Sequence, residues 1–365
     1  MSLVLYRKYR PQAFSEIIGQ EHIVKTLTNA ILAGMISHAY LFTGPRGSGK
    51  TTIARLLAKA ANCQNRKDYE PCNQCQSCLE INQGRSLDLI EIDAASHRGI
   101  DEIRELREGI RFVPTKSKYK VFIIDEAHQL TKEAANALLK TLEEPPAHAI
   151  FILATTEIQK MISTIISRCQ RFDFWRLTLP QILQRLEILS KKENIRIEKS
   201  ALELIALNSG GSLRDAESLL DQVITFSGQD KEIKAEEIKD LLGIIDTSVV
   251  GQFVDLLIKK DTGEAINFLH KLFDRGLDPQ EFGKALINYL RQLLISKINP
   301  DLSNPILSGL TNEEDQKIKL QAENFKEPEI THILKIFLDA ENKMRYSSIP
   351  QLPLELATID SCGIA

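Results

Sequence analysis

No stretch of this chain approaches the ~20 consecutive apolar residues that a membrane-crossing helix needs, and the apolar start of MSLVLYRKYRP is too short for a secretion signal. A soluble cytoplasmic protein with no membrane partner is the expectation. Charge of one sign is also missing. A formal net charge of −3 over 365 residues gives no overall pull toward nucleic acid, so any such contact must come from local patches. Internal repeats and low-complexity segments are absent, and the 365 residues suffice for two or three domains with separate cores. Cysteine is scarce outside one place: of six, four lie at positions 63, 72, 75 and 78. Without a secretion signal, that cluster points to metal rather than disulfides.

What is present is organised around Ala39 to Ala61, where an apolar strand breaks into a glycine-rich turn and restarts as a helix. Gly44-Pro45-Arg46-Gly47-Ser48-Gly49-Lys50-Thr51 satisfies G-x-x-x-x-G-K-[ST], with Thr52 following. The glycines permit close backbone approach, so successive N–H groups converge on phosphate oxygens at a helix N-terminus. Lys50 then reaches the β- and γ-phosphates, and the Thr51 hydroxyl is placed to ligate Mg²⁺.

Downstream, Val121-Phe122-Ile123-Ile124-Asp125-Glu126 is an apolar strand tipped by two acids. That is the other half of a phosphate site: Asp125 for Mg²⁺ and Glu126 to polarise the attacking water. Ala149–Ala154 forms a further buried strand ending in Thr155-Thr156, whose hydroxyls serve either to sense the γ-phosphate and orient water or to pack and cap. Between these strands, Thr131 starts a helix with Ala134, Ala135, Leu138, Leu139 and Leu142 inward, stopped by Pro145-Pro146.

The cysteines form C-x₈-C-x₂-C-x₂-C, a closed four-thiolate set that suits structural Zn²⁺, with iron–sulfur ligation as the rival. The polar filler Asn65 to Asp68 predicts an exposed knuckle with no apolar shell. Leu87–Asp93 reads as an alternating strand, followed by a helix over Ile100, Ile103, Leu106 and Ile110. His97 and Arg98 at their junction are either solvated or turned toward phosphate.

Ser167-Arg168 breaks an apolar segment, and its arginine is either a phosphate-reading finger or a surface residue. From Leu179 the pattern is helical. Gly210-Gly211 interrupts it, Ser212 caps the next helix, and Arg214 in that helix's first turn opposes the dipole and so suggests a nearby anion. Beyond Gly243 the chain shows only amphipathic helices, with breaks at Gly276, Asn299-Pro300 and Asn304-Pro305.

Taken in order, the phosphate loop, the Asp125-Glu126 strand, the four-cysteine insert, Ser167-Arg168-Cys169 and Gly211-Ser212-Leu213-Arg214-Asp215 resemble the tau/gamma subunits of the bacterial DNA polymerase III clamp loader, which are AAA+ ATPases. Gly19-Gln20-Glu21-His22, Glu91-Ile92-Asp93-Ala94-Ala95-Ser96 and Asn136 to Pro146 add to the likeness, which covers essentially the whole chain. It implies an α/β AAA+ P-loop domain with a parallel sheet at 1–178, carrying a zinc module at about 62–80. A helical lid at 179–243 and an all-α collar at 244–365 would follow.

The resemblance makes Thr156, with Thr155 as understudy, the γ-phosphate sensor, Arg168 a finger acting in trans on a neighbour's ATP, and Arg214 the lid sensor. Arg10 and Ile18 fall near the base, and Cys63, Cys72, Cys75 and Cys78 hold zinc. The implied partners are the delta and delta-prime subunits, further copies of the chain, the sliding clamp and primed DNA. The rival functions are another AAA+ DNA-processing motor and a non-hydrolysing scaffold. Tau forms extend well past this point, so a gamma-like or truncated form is expected and helicase or polymerase tethering is not.

Overall fold

Ala39–Thr43 forms β1, and all five of its residues are buried. Both faces of such a strand must be covered, which is why it reads as an unbroken apolar run. In the computed structural model, which describes residues 4–96, 109–110, 112–227, 232–243, 245–299 and 312–363, β1 lies inside a five-stranded parallel sheet. The other strands are β2 (Leu89–Asp93), β3 (Lys120–Asp125), β4 (Ala149–Thr155) and β5 (Gln170–Asp173), in the order β2-β3-β4-β1-β5. Leu41 pairs with Leu153 on one side of β1 and with Arg171 on the other, while Ile123 of β3 pairs with Ile152 of β4.

Alternation sorts the two faces. Tyr40, Phe42, Ile123 and Ile152 pack with helices α2 (Glu21–Leu32) and α3 (Lys50–Asn62), through Ile23, Leu27, Ile53 and Leu57. Leu41, Phe122, Phe151 and Leu153 pack on the other face. There they meet Ala134, Leu138 and Leu142 of α5 (Lys132–Glu143) and Ile165 of α6 (Ser163–Ile166). Thr131 caps α5 by accepting the Ala134 N–H at 3.2 Å.

Residues 4–20 form an N-terminal arm leading into α2, and within it Leu5–Lys8 makes one helical turn, α1, with Leu5 buried. The cysteine insert carries its own helix, α4 (Gln76–Asn82), and buries Cys75 and Cys78, while the filler Gln64–Asp68 is exposed. β2 begins two residues later than the alternation suggests. Leu87 is 69% exposed, while the buried Asp88 carboxylate accepts the N–H groups of Thr115, Lys116 and Ser117 at 2.7–3.0 Å. β5 was not legible in the sequence, because only Phe172 of its four residues faces the core. His97, Arg98 and most of the helix expected after them lie outside the described residues, as do Pro300, Asn304 and Pro305.

The chain divides into two compact units, Met1–Arg196 with Ile205–Asp230, and Ile197–Leu204 with Lys231–Ala365. The first unit also contains α7 (Leu179–Lys192) and α9 (Leu213–Ser227), and α8 (Lys199–Asn208) contributes to both units. The second unit comprises α10 (Ala235–Leu242), α11 (Thr247–Ile258), α12 (Thr262–Asp274), α13 (Pro279–Ile298), α14 (Asn312–Glu323), α15 (Glu327–Met344) and α16 (Leu352–Cys362). Its core centres on Phe253, which meets Phe282 and Phe337 edge-on at 5.4 and 6.3 Å. Among the described residues, no helix is long and apolar enough to cross a membrane.

Candidate functional site

The turn from β1 into α3 forms a cradle because two of its glycines leave no room for a side chain. Gly47 has φ +73°, and a Cβ there would sit 1.9 Å from Ser212 Oγ; Gly44, at φ +147°, would place one 2.4 Å from the Phe174 carbonyl oxygen. Ser48 ties the loop back on itself by donating to the Pro45 carbonyl at 2.8 Å. Gln20, buried, donates to the Trp175 carbonyl at 2.9 Å and to that of Ser48 at 3.4 Å, fixing the loop to the chain leaving β5. Lys50 lies inside the turn, its ammonium donating to the Gly44 and Pro45 carbonyls at 2.8 and 2.9 Å. Burial pushes its pKa down, and the Asp125 and Glu126 carboxylates pull it back up.

Sheet order decides what faces this loop. β4 lies between β1 and β3, so the tips of β3 and β4 stand beside it. Thr51 Oγ1 donates to Asp125 Oδ2 at 2.8 Å, joining the loop to the acidic tip. Glu126 adopts φ +49°, a left-handed conformation costing a side-chain-bearing residue roughly 1–2 kcal/mol, which carries its carboxylate off the strand axis. The two threonines separate here. Thr156 Oγ1 donates to Glu126 Oε2 at 3.0 Å, whereas Thr155 is buried and its hydroxyl accepts the Glu157 N–H at 3.0 Å.

The cavity beside the loop is lined by Arg10, Ile18, Arg46, Gly47, Ser48, Gly49, Lys50, Thr51, Thr52, Asp125, Glu126 and Arg214, among others. Arg10 is pushed below its ordinary pKa by burial. Arg214 lies over the Tyr6 ring at 4.7 Å, and hydrogen bonds from Arg214 and Arg7 hold the Tyr6 hydroxyl below its usual pKa. Tyr6 had no sequence signal, because it reaches α9 from more than 200 residues away. Arg168 does not line this cavity; it pairs with Glu143 at 2.6 Å on the surface and donates to the Thr164 carbonyl at 2.8 Å.

The sulfur atoms of Cys63, Cys72, Cys75 and Cys78 all lie within 4.8 Å of one another, with Cys63–Cys75 and Cys72–Cys78 at 4.0 Å. A tetrahedral ion with metal–sulfur bonds of about 2.3 Å needs sulfurs about 3.8 Å apart. The four therefore come near the spacing that one tetrahedral ion requires. Backbone N–H groups of Gln74 and Cys75 hold the Cys72 thiol at about 6, a thiolate ready for a metal, while burial raises Cys63 and Cys78.

The insert is fastened to the N-terminal arm and to α3. Both Glu70 carboxylate oxygens accept N–H groups of the arm, from Phe14 and Ser15, each at 2.8 Å. The buried Lys59 of α3 bonds Gln12 and Asn82. No periodicity announces either contact.

Three family models match consecutive parts of the chain. They are DNA polymerase III, delta subunit (residues 19–178), the ATPase lid domain of the DNA polymerase III clamp loader subunit (181–229), and domain III of the DNA polymerase III gamma and tau subunits (233–365). The Bacillus subtilis DNA polymerase III subunit tau is 43% identical over 98% of this chain and 63% of its own length. The Mycobacterium tuberculosis gamma/tau subunit is 37% identical over 97% of this chain and 61% of its own. The chain therefore spans a little over three fifths of these relatives. The Buchnera aphidicola DNA polymerase III subunit gamma is 38% identical, covering 98% of this chain and 97% of that protein.

Proposed function

Because the chain belongs to the gamma/tau family of bacterial DNA polymerase III subunits, we propose that it is an ATP-binding and ATP-hydrolysing motor subunit of the replicative clamp loader. The observation that carries this reading is the 2.8 Å bond from Thr51 to Asp125, which brings the phosphate loop and the acidic strand tip to one point. Thr51 and Asp125 would hold Mg²⁺, which when bound neutralises phosphate charge. Gly44 to Thr52, Lys50 among them, bind the phosphates, Arg10 and Ile18 flank the base, and Glu126, tethered by Thr156, polarises the attacking water. Arg214 reads the nucleotide from the lid. Hydrolysis can move the subunit between clamp-holding and clamp-releasing states only if nucleotide binds the two unequally.

The organisation that goes with this activity is a nucleotide domain at 1–178, a lid at 179–243 and a collar at 244–365. Its partners are the delta and delta-prime subunits, further copies of the chain, the sliding clamp and primed DNA, in the cytoplasm. Reconstituted complex is expected to hydrolyse ATP faster when clamp and primed DNA are both present; turnover indifferent to both would remove the clamp-loader assignment.

Arg168 supports a shared active site, since its guanidinium lies outside its own cavity and on the surface. Arg168→Ala is expected to leave ATP binding within about twofold while lowering stimulated turnover 10³-fold or more, the usual magnitude for an arginine finger. Unchanged turnover would return Arg168 to the role of a surface ion pair.

Zinc is the ion that the four sulfurs favour. Metal analysis should find about one zinc per chain and no visible iron absorbance. Removing it with a strong chelator should unfold residues 62–80 locally, read as loss of hydrogen-exchange protection there. Iron in place of zinc, or protection unchanged after removal, would overturn the assignment.

A further inference from the structure

We infer that His128 is the positioning residue that orients Glu126, an inference resting on the hydrolytic reading above. His128 follows Glu126 by two residues on the short 3₁₀ turn Ala127–Gln129, and its side chain is 3% exposed. Nδ1 faces two oxygens, Thr155 Oγ1 at 3.0 Å and Glu126 Oε2 at 3.5 Å. On the other side, Nε2 is 3.1 Å from the Gln129 amide nitrogen and 3.3 Å from Glu157 Oε1, a carboxylate already held by Lys160 at 2.7 Å.

We take the tautomer in which the Gln129 amide N–H donates to Nε2 and the ring proton sits on Nδ1, 3.0 Å from Thr155 Oγ1 and 3.5 Å from Glu126 Oε2. Glu126 Oε2 then accepts the Thr156 hydroxyl at 3.0 Å and has the imidazole Nδ1 3.5 Å away. Glu126 lines the cavity. At 3.5 Å the imidazole contact is longer than a hydrogen bond, as expected of a catalytic contact that tightens once substrate is bound. The left-handed backbone at Glu126 fixes where the side chain starts, and His128 limits how it swings. A swing of about 1 Å at a reacting group costs on the order of 10²-fold in rate.

Asparagine and glutamine separate this role from a structural one, because Asn presents its amide N–H near the Nδ1 position and Gln near the Nε2 position. In the reconstituted complex, His128→Gln is expected to lower kcat roughly ten- to a hundredfold with KM for ATP unchanged, and His128→Asn to restore most of it. Equal losses in both variants, or a loss expressed in KM, would overturn the inference. Wild-type complex without turnover would remove the hydrolytic reading and this role with it. Turnover that Glu126→Gln abolishes but His128→Gln leaves intact would overturn the His128 role alone. In the isolated full chain, nitrogen-15 spectra of labelled histidine, assigned with His128→Asn, should show the proton on Nδ1; a neutral Nε2–H tautomer would contradict it.

Discussion

Replacing Lys50 with alanine is expected to weaken ATP binding by at least about a hundredfold, at 1.5–3 kcal/mol for each hydrogen bond to a charged group. Lys50 is 6% exposed, and among the described residues its ammonium donates to the Gly44 and Pro45 carbonyls, both neutral. A buried cation held by neutral acceptors gains most when an anion arrives, because burial removes the water that would otherwise weaken the attraction. Folding should survive the change, since no carboxylate is left unpaired. Titration with a fluorescent ATP analogue measures the effect directly, with thermal unfolding as the control. Tight binding by a folded Lys50→Ala protein would refute the phosphate-loop assignment.

The second large effect concerns stability. Arg185 of α7 and Glu217 of α9 form an ion pair at 2.7 Å, with side chains 5% and 6% exposed, and the Arg185 guanidinium also donates to the Tyr9 carbonyl. Glu217→Ala would strand a guanidinium in the interior and should cost about 3–5 kcal/mol, whereas Arg185→Leu with Glu217→Leu should come near wild type, because an apolar pair has no desolvation penalty. Burial raises the Glu217 carboxyl pKa, and Arg185 opposes that without reversing it. Such a group binds its proton more tightly when folded. Its contribution to stability is therefore complete below the unfolded carboxyl pKa and is lost as pH rises through the elevated folded one. The double leucine variant should lack that limb. Urea unfolding followed from the first unit, at several pH values, tests both statements; a loss below ~1 kcal/mol for Glu217→Ala would mean that the pair is solvated in solution.

The two experiments bracket what a reader of the sequence could reach. Lys50 stands in a contiguous strand, turn and helix whose residue types dictate local backbone conformation, so its place was legible. Arg185 and Glu217 lie 32 residues apart on different helices, each an unremarkable polar residue in an amphipathic stretch. Their burial follows from how α7 and α9 pack with the arm. Leu207 makes the same point in reverse: it shares an apolar run with Leu202 and Ile205, yet is 41% exposed.

By itself the sequence determined the phosphate loop, the acidic tip of β3, the four-cysteine set and the start of the lid helix. In each the chemistry is written into neighbouring residues, and a short backbone segment has few ways to fold. Only the tertiary structure decided which groups meet around that loop. Setting β4 between β1 and β3 brings Thr51 to Asp125 and Thr156 to Glu126. It also sets His128 beside Thr155, while packing of the arm against the helices and the insert brings Tyr6 under Arg214 and Glu70 onto the N–H groups of Phe14 and Ser15. These partners are between 27 and 208 residues apart. No periodicity spans such distances, because strand order and helix packing are properties of the whole core.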